Sequence, residues 1–294
     1  MNSRLLNRLA ISLIVACAVV MVGTLAALLG YILYQGVSQI SWSFLTSDSS
    51  AFQAGGGIKN QLWNSFYILF ITMLLTVPLG TAGGIYLAEY AKQTRFTAFI
   101  RSCVEVLASL PSIVVGMFGL LVFVNYFNWE YSILSGAVAL TVFNLPVIVR
   151  VTENALCSVS EEQRAAGLAL GMTQWHTIKK VFLPAAFPGI LTGVILCAGR
   201  VFGESAALLF TAGLSSPNLD FTNWNPLSAN SPLNLFRSAE TLSVHIWSVN
   251  SVGIIPDAKE VAAGAAAVLV ISVLTFNLVA RLLGRIVEKK MTGK

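Results

Sequence analysis

Arg200 and Glu204 stand inside an otherwise apolar stretch, VILCAGRVFGESAALLFTAG at 194–213. If a helix begins near Ala186, Arg200 lies roughly 20 Å along it at about 1.5 Å per residue, close to mid-bilayer. An arginine there costs at least about 2.5–3.5 kcal/mol, so it must face protein or water. A guanidinium stays charged, and its planar fork matches two phosphate oxygens at once. The chemistry on offer is oxyanion recognition. Glu204 shares the helix face four residues on, and two readings stand. The pair neutralises itself, or Glu204 competes with a passing anion for Arg200 so that the anion can leave. Helical side chains lean toward the N-terminus, which makes Arg-before-Glu the poorer order for a local pair and favours the second reading.

The elements that hold these residues follow from composition. Of 294 residues, 56% are hydrophobic and only 11% charged, and the mean hydropathy is +0.76. A soluble domain carries about 25% charged residues, and a disordered chain is poor in apolar ones, so both are excluded. Apolar residues run continuously instead of alternating, which excludes a β-barrel. The chain reads as an all-α membrane protein. Windows without Asp, Glu, Lys or Arg predict six transmembrane helices at about 9–34, 62–88, 101–126, 132–155, 186–212 and 261–285, forming one multi-pass domain over 1–294. The first run follows Arg4 and Arg8 but is too long for a signal peptide and precedes five more spans, so it reads as an uncleaved helix.

Cations set the orientation. Arg4, Arg8, Lys92, Arg95, Arg101, Arg150, Arg164, Lys179, Lys180, Arg281, Arg285, Lys289, Lys290 and Lys294 fall on one side. Only Lys59, Arg237 and Lys259 fall on the other. Both termini are expected in the cytoplasm, and the Asn-, Ser- and Pro-rich loop 213–260 outside, as filler, docking surface or a helix dipping back. The net charge of +5 comes without a basic run or interleaved aromatics, so no nucleic-acid partner is expected. Cys17, Cys103, Cys157 and Cys197 lack metal-ligand spacing and read as buried free thiols. Two histidines, His176 and His245, are too few for a histidine metal site.

The cytoplasmic segment 157–184 is organised. Ser160 with Gln163 forms a capping box, Glu161 and Glu162 suit a helix N-terminus, and Gly171 suits its end. Thr173 can cap a second helix, with Lys179 and Lys180 in its last turn and Pro184 stopping it. Leu168, Met172, Trp175 and Phe182 form one apolar stripe. Such a hairpin rests on lipid or inserts into a soluble partner.

This segment resembles the cytoplasmic coupling motif of ABC-importer permeases, E-A-A-x3-G-x9-I-x-L-P. Aligned on Gly171, the motif falls on Ala165, Ala166, Gly167, Gly171, Val181, Leu183 and Pro184. Its Glu is Ala165 here and its Ile is Val181, which leaves Glu161, Glu162 or Arg164 to replace the acid. AGGGIKN at 54–60, PLGTAGGIYLAEYA at 78–91, LPSIVVG at 110–116, NLPVIVRVTENAL at 144–156 and GRVFGESAALLFTA at 199–212 are similar, in order, to the A-type permease subunits of phosphate ABC importers. The resemblance implies the type I importer architecture in a bacterial cytoplasmic membrane, phosphate as cargo, and Arg200 on its path. It also implies a homologous second permease, an ATPase that uses ATP and Mg, and an external phosphate-binding protein as partners.

Other features read as architecture. Arg101 with Glu105, and Arg150 with Glu153 or Asn154, can pair within their own helices as interfacial anchors. Glu89 ends helix 2 and Glu130 lies in an external turn. Pro78, Pro111 and Pro146 are expected to kink their helices, and Gly80, Gly83 and Gly84 to permit close helix approach. No G-x-x-x-x-G-K-[ST] loop, H-E-x-x-H or G-x-S-x-G occurs, so the chain is not expected to be an enzyme or to hold a cofactor. A sulfate or molybdate permease, and a self-sufficient channel or secondary transporter, are the alternatives. The latter would carry inverted repeats, which the hydropathy lacks.

Overall fold

The computed structural model describes residues 3–50, 54–160, 162–163, 171–252 and 255–292, and all regular structure among them is helical. Five helices are long and apolar enough to cross a membrane, and one sharply bent pair meets that test only when its two helices are taken together. These are α1 Ser3–Gly36, α2 Lys59–Tyr90, the pair α3 Arg95–Ala108 and α4 Ser112–Tyr126, α5 Ile133–Cys157, α6 Gln174–Gly203, and, after a short α7 Ala206–Thr211 and α8 Leu242–Val252, α9 Ala258–Thr292.

α5 is the axis of the bundle. Two thirds of its apolar window (67%) is buried inside the chain, against 0% for α1. Ile133, Leu140 and Ile148 of α5 pack with Ile68 and Leu69 of α2 and with Cys197, Val201 and Phe202 of α6. Small residues allow the closest approach. A Cβ on Gly80 would come within 2.7 Å of Ile148, and one on Gly84 within 2.5 Å of Thr152. The glycines expected to bring helices together therefore seat α2 on α5. α1 instead leaves its apolar surface exposed and meets α9 near Gly36.

Three expectations are corrected. Helix 3 is not one continuous helix over 101–126: α3 and α4 meet at 98°. Pro111 lacks an amide hydrogen and drives Leu110 out of helical conformation, so the chain turns there. Pro78 and Pro146, by contrast, lie inside continuous helices. The second hairpin helix does not stop at Pro184 but runs on through α6, because a wide turn at Ile178–Phe182 precedes the proline and removes the need for its amide. The span expected over 186–212 ends at Gly203, with Glu204 extended (φ −73°, ψ 123°) before α7 begins.

The external loop is built from side chains. Asp220, Asn223, Asn225 and Asn234 each accept from the amide two residues on, so its Asn-rich composition makes turns. The carbonyls of Leu235 and Arg237 accept from Leu134 and Ile133, satisfying amides at the start of α5 that have no partner within the helix. The loop is thus a cap on the central helix, and α8 is the helix inside it. The cysteines are free thiols, but only Cys197 is buried, while Cys17 and Cys157 are exposed.

Candidate functional site

Arg200 lies near the end of α6 with its side chain exposed on the surface of this chain. Its guanidinium carbon sits 3.9 Å above the ring centroid of Phe143, a residue of α5 that is itself 2% exposed. The ring's electron-rich face supports the cation, worth about 0.5–2 kcal/mol. The ring takes up one side of the guanidinium, and among the described residues no hydrogen-bond acceptor is engaged by its N–H groups. Among the described residues no carboxylate lies within ion-pair distance of it.

Glu204 is not that partner. The helix has ended, so the four-residue spacing no longer puts the two side chains on one face. Glu204 Oε1 accepts from the amide of Ala207 (3.2 Å), capping α7, and its main-chain oxygen accepts from Ser243 Oγ (2.7 Å). The carboxylate fixes the break just beyond Arg200. Phe143 could not be singled out in the sequence, where it is one of 17 phenylalanines in an apolar run.

A second arginine lies in the opposite setting. Arg237, 5% exposed, donates to Ser231 O (3.1 Å), Ser238 O (3.3 Å), Asn64 Oδ1 (2.8 Å) and Pro232 O (3.1 Å). Burial lowers its pKa to about 10, which leaves it charged at neutral pH. Beside it Glu240 accepts from Gln61 Nε2 (2.8 Å) and pairs with His245 Nδ1 (3.0 Å). This cluster pins the external loop to the head of α2.

At the other end, the expected pairs within helices are replaced by pairs between them. Arg101 of α3 meets Glu153 of α5 (2.8 Å), and Arg150 of α5 meets Glu105 of α3 (3.3 Å). Arg101 also donates to the Leu87 carbonyl at the end of α2 (3.2 Å), and Gln174 of α6 donates to the Glu89 carbonyl (2.8 Å). The bend turns α3 across α5, so its charges reach that helix.

Of the expected coupling residues, Glu161, Arg164, Ala165, Ala166 and Gly167 lie outside the described residues, as does Leu168 of the stripe. Glu162 is exposed, and Gly171 has φ +72°, the left-handed conformation that ends helices. Thr173 Oγ1 accepts from the His176 amide (3.4 Å), the expected cap. Trp175 is exposed and Phe182 buried, so the stripe is split between surface and core.

Residues 80–293 match the family described as binding-protein-dependent transport system inner membrane component. A probable ABC transporter permease protein of Bacillus subtilis, YqgI, is 60% identical over 293 residues, covering 100% of each chain. The phosphate transport system permease protein PstA of Haemophilus influenzae is 36% identical over 233 residues, 79% of this chain and 82% of that one. Among solved structures, the inward-facing MetNI methionine ABC transporter is similar with TM-score 0.62 at 18% identity, over 77% of this chain and 94% of that one. A bacterial importer of the acidic polysaccharide alginate is similar with TM-score 0.60 at 12% identity, over 96% and 95%.

Proposed function

The chain belongs to the inner-membrane components of binding-protein-dependent ABC importers, and from that premise we propose that it conducts inorganic phosphate past Arg200. The observation that carries this reading is the setting of that residue: exposed, seated over the Phe143 ring, and without a carboxylate partner among the described residues. Two charge-assisted hydrogen bonds to a tetrahedral oxyanion fit its guanidinium fork. The relative named as a phosphate permease supports phosphate as the oxyanion. Glu204 is assigned the positioning of the break that ends the Arg200 helix.

The remaining assignments complete the machine. A homologous second permease supplies the far wall of the path, and an extracytoplasmic phosphate-binding protein delivers cargo to the face of the 213–260 loop. Both termini lie in the cytoplasm, where segment 157–184, with Glu161, Glu162, Arg164, Ala165, Ala166, Gly167 and Gly171, receives a partner ATPase that uses ATP and magnesium. Closure of the ATPases beneath the hairpin rocks the two permeases and alternates access to Arg200.

The test is uptake by the assembled transporter in vesicles. Arg200→Lys should lose most phosphate uptake while the subunits still co-purify, because a point-charge ammonium does not reproduce the bidentate fork. Normal uptake would remove Arg200 from the path, and stronger inhibition by sulfate or molybdate than by unlabelled phosphate would reassign the cargo. Deleting 161–182 should release the ATPase, and an ATPase that stayed bound would refute the coupling assignment.

A further inference from the structure

A groove of about 240 Å³ lies between α6 and α9, away from Arg200. α6 supplies its floor, Pro188, Leu191 and Ile195 together with Thr192, whose hydroxyl donates to the Pro188 carbonyl, and α9 supplies Arg281, Gly284 and Arg285. The helices touch at Gly284, where Leu191 occupies the space a Cβ would fill. Arg281 and Arg285 are four residues apart and so share one face of α9, an arrangement that is unfavourable for like charges without a counter-anion. Among the described side chains, which do not include that of Glu288, neither has a carboxylate within ion-pair distance.

Two considerations identify the guest. Arg281 is the first charge after the uncharged stretch 261–280, which places it where hydrocarbon gives way to headgroups. At 3.6 residues per turn, Leu191 points about 180° and Ile195 about 140° away from Arg200 around α6. The groove is therefore on the other side of the helix from the proposed cargo path. A free phosphate ion would use the two arginines but gain nothing from the floor. A molecule with a phosphate at one end and hydrocarbon at the other fits both halves.

We propose that this groove binds one anionic phospholipid, its phosphate held by Arg281 and Arg285 and an acyl chain laid along Leu191 and Ile195. Basic pockets between transmembrane helices at the cytoplasmic side hold such headgroups. The site rests on the orientation proposed above only for the leaflet it names, the cytoplasmic one, and does not depend on the cargo.

Native mass spectrometry of the whole transporter in phosphatidylcholine micelles, titrated with phosphatidylglycerol, tests it. One phosphatidylglycerol should be retained per chain in preference to phosphatidylcholine. Arg281→Gln/Arg285→Gln should weaken that binding about thirtyfold. Arg281→Lys/Arg285→Lys, which keeps the charges that orient the helix, should retain it. Equal binding by the wild type and the glutamine variant would overturn the proposal. So would displacement of the lipid by millimolar inorganic phosphate, which would make this a free-anion site, or lipid binding only after an ATPase subunit is stripped away, which would make it a protein interface.

Discussion

Arg237 gives its guanidinium hydrogens to three carbonyls of the external loop and to Asn64, while Arg200 rests one face on Phe143 and keeps its hydrogens for something else. Both residues are charged, and neither is paired with a carboxylate of this chain among the described residues. The difference lies in who satisfies the donors. A guanidinium saturated by its own chain holds that chain together, because withdrawing it leaves several acceptors without partners. A guanidinium supported only from behind adds little to the fold and is available to a guest. The comparison separates a structural cation from a functional one without reference to sequence position.

The largest expected effect is on transport. Arg200→Gln removes charge-assisted hydrogen bonds worth about 1.5–3 kcal/mol each, so phosphate uptake should fall by more than about a hundredfold. The melting temperature of the assembled transporter should stay nearly unchanged. A large drop in stability would show that Arg200, like Arg237, serves the fold. The converse variant, Arg237→Met, leaves the Asn64 side chain and the Ser231, Pro232 and Ser238 carbonyls short of a donor, at a cost of at least about 1–3 kcal/mol. It should lower the melting temperature by several degrees, while uptake per intact transporter persists. Equal losses from both variants would dissolve the distinction.

The two arginines also mark where sequence reasoning stops. Arg200 was legible because a lone cation in a charge-free stretch is costly whatever the fold. Arg237 lies among polar residues in a loop, where a charge is cheap, and nothing local says that the loop folds over it. The all-helical membrane architecture and the glycine seam of α2 were legible for the same reason, since hydropathy and small side chains act locally. The 98° turn at Pro111 was not, because Pro78 and Pro146 carry the same local signal and stay inside continuous helices. Whether a proline bends or breaks a helix depends on what neighbouring helices restore around it. Pairing of Arg101 with Glu153 across helices was hidden behind that turn.

Phe143 allows a finer test of how Arg200 is held. Phe143→Leu keeps an apolar side chain of similar bulk but removes the aromatic face, a loss of about 0.5–2 kcal/mol. Uptake should fall by about twofold to thirtyfold, and Phe143→Tyr should preserve it. If Leu at this position transported normally, the ring would be packing rather than a platform for Arg200.

The smallest effect is expected at Glu204, and its sign distinguishes two roles for one carboxylate. As the cap of α7, Glu204 contributes an oxygen acceptor for the Ala207 amide, not a charge. Glu204→Gln keeps that acceptor and should leave uptake within about a factor of two, since cap replacement by a side-chain oxygen is nearly neutral. Glu204→Leu removes it and should cost about 0.5–2 kcal/mol of stability, read as earlier melting with little change in substrate affinity. A charge that competed with phosphate for Arg200 would behave in the opposite way. Gln would then tighten phosphate binding and slow its release, and uptake would saturate at lower phosphate with a lower maximum rate. That outcome would move Glu204 from the scaffold into the path and make the site a balanced ion pair instead of a bare cation.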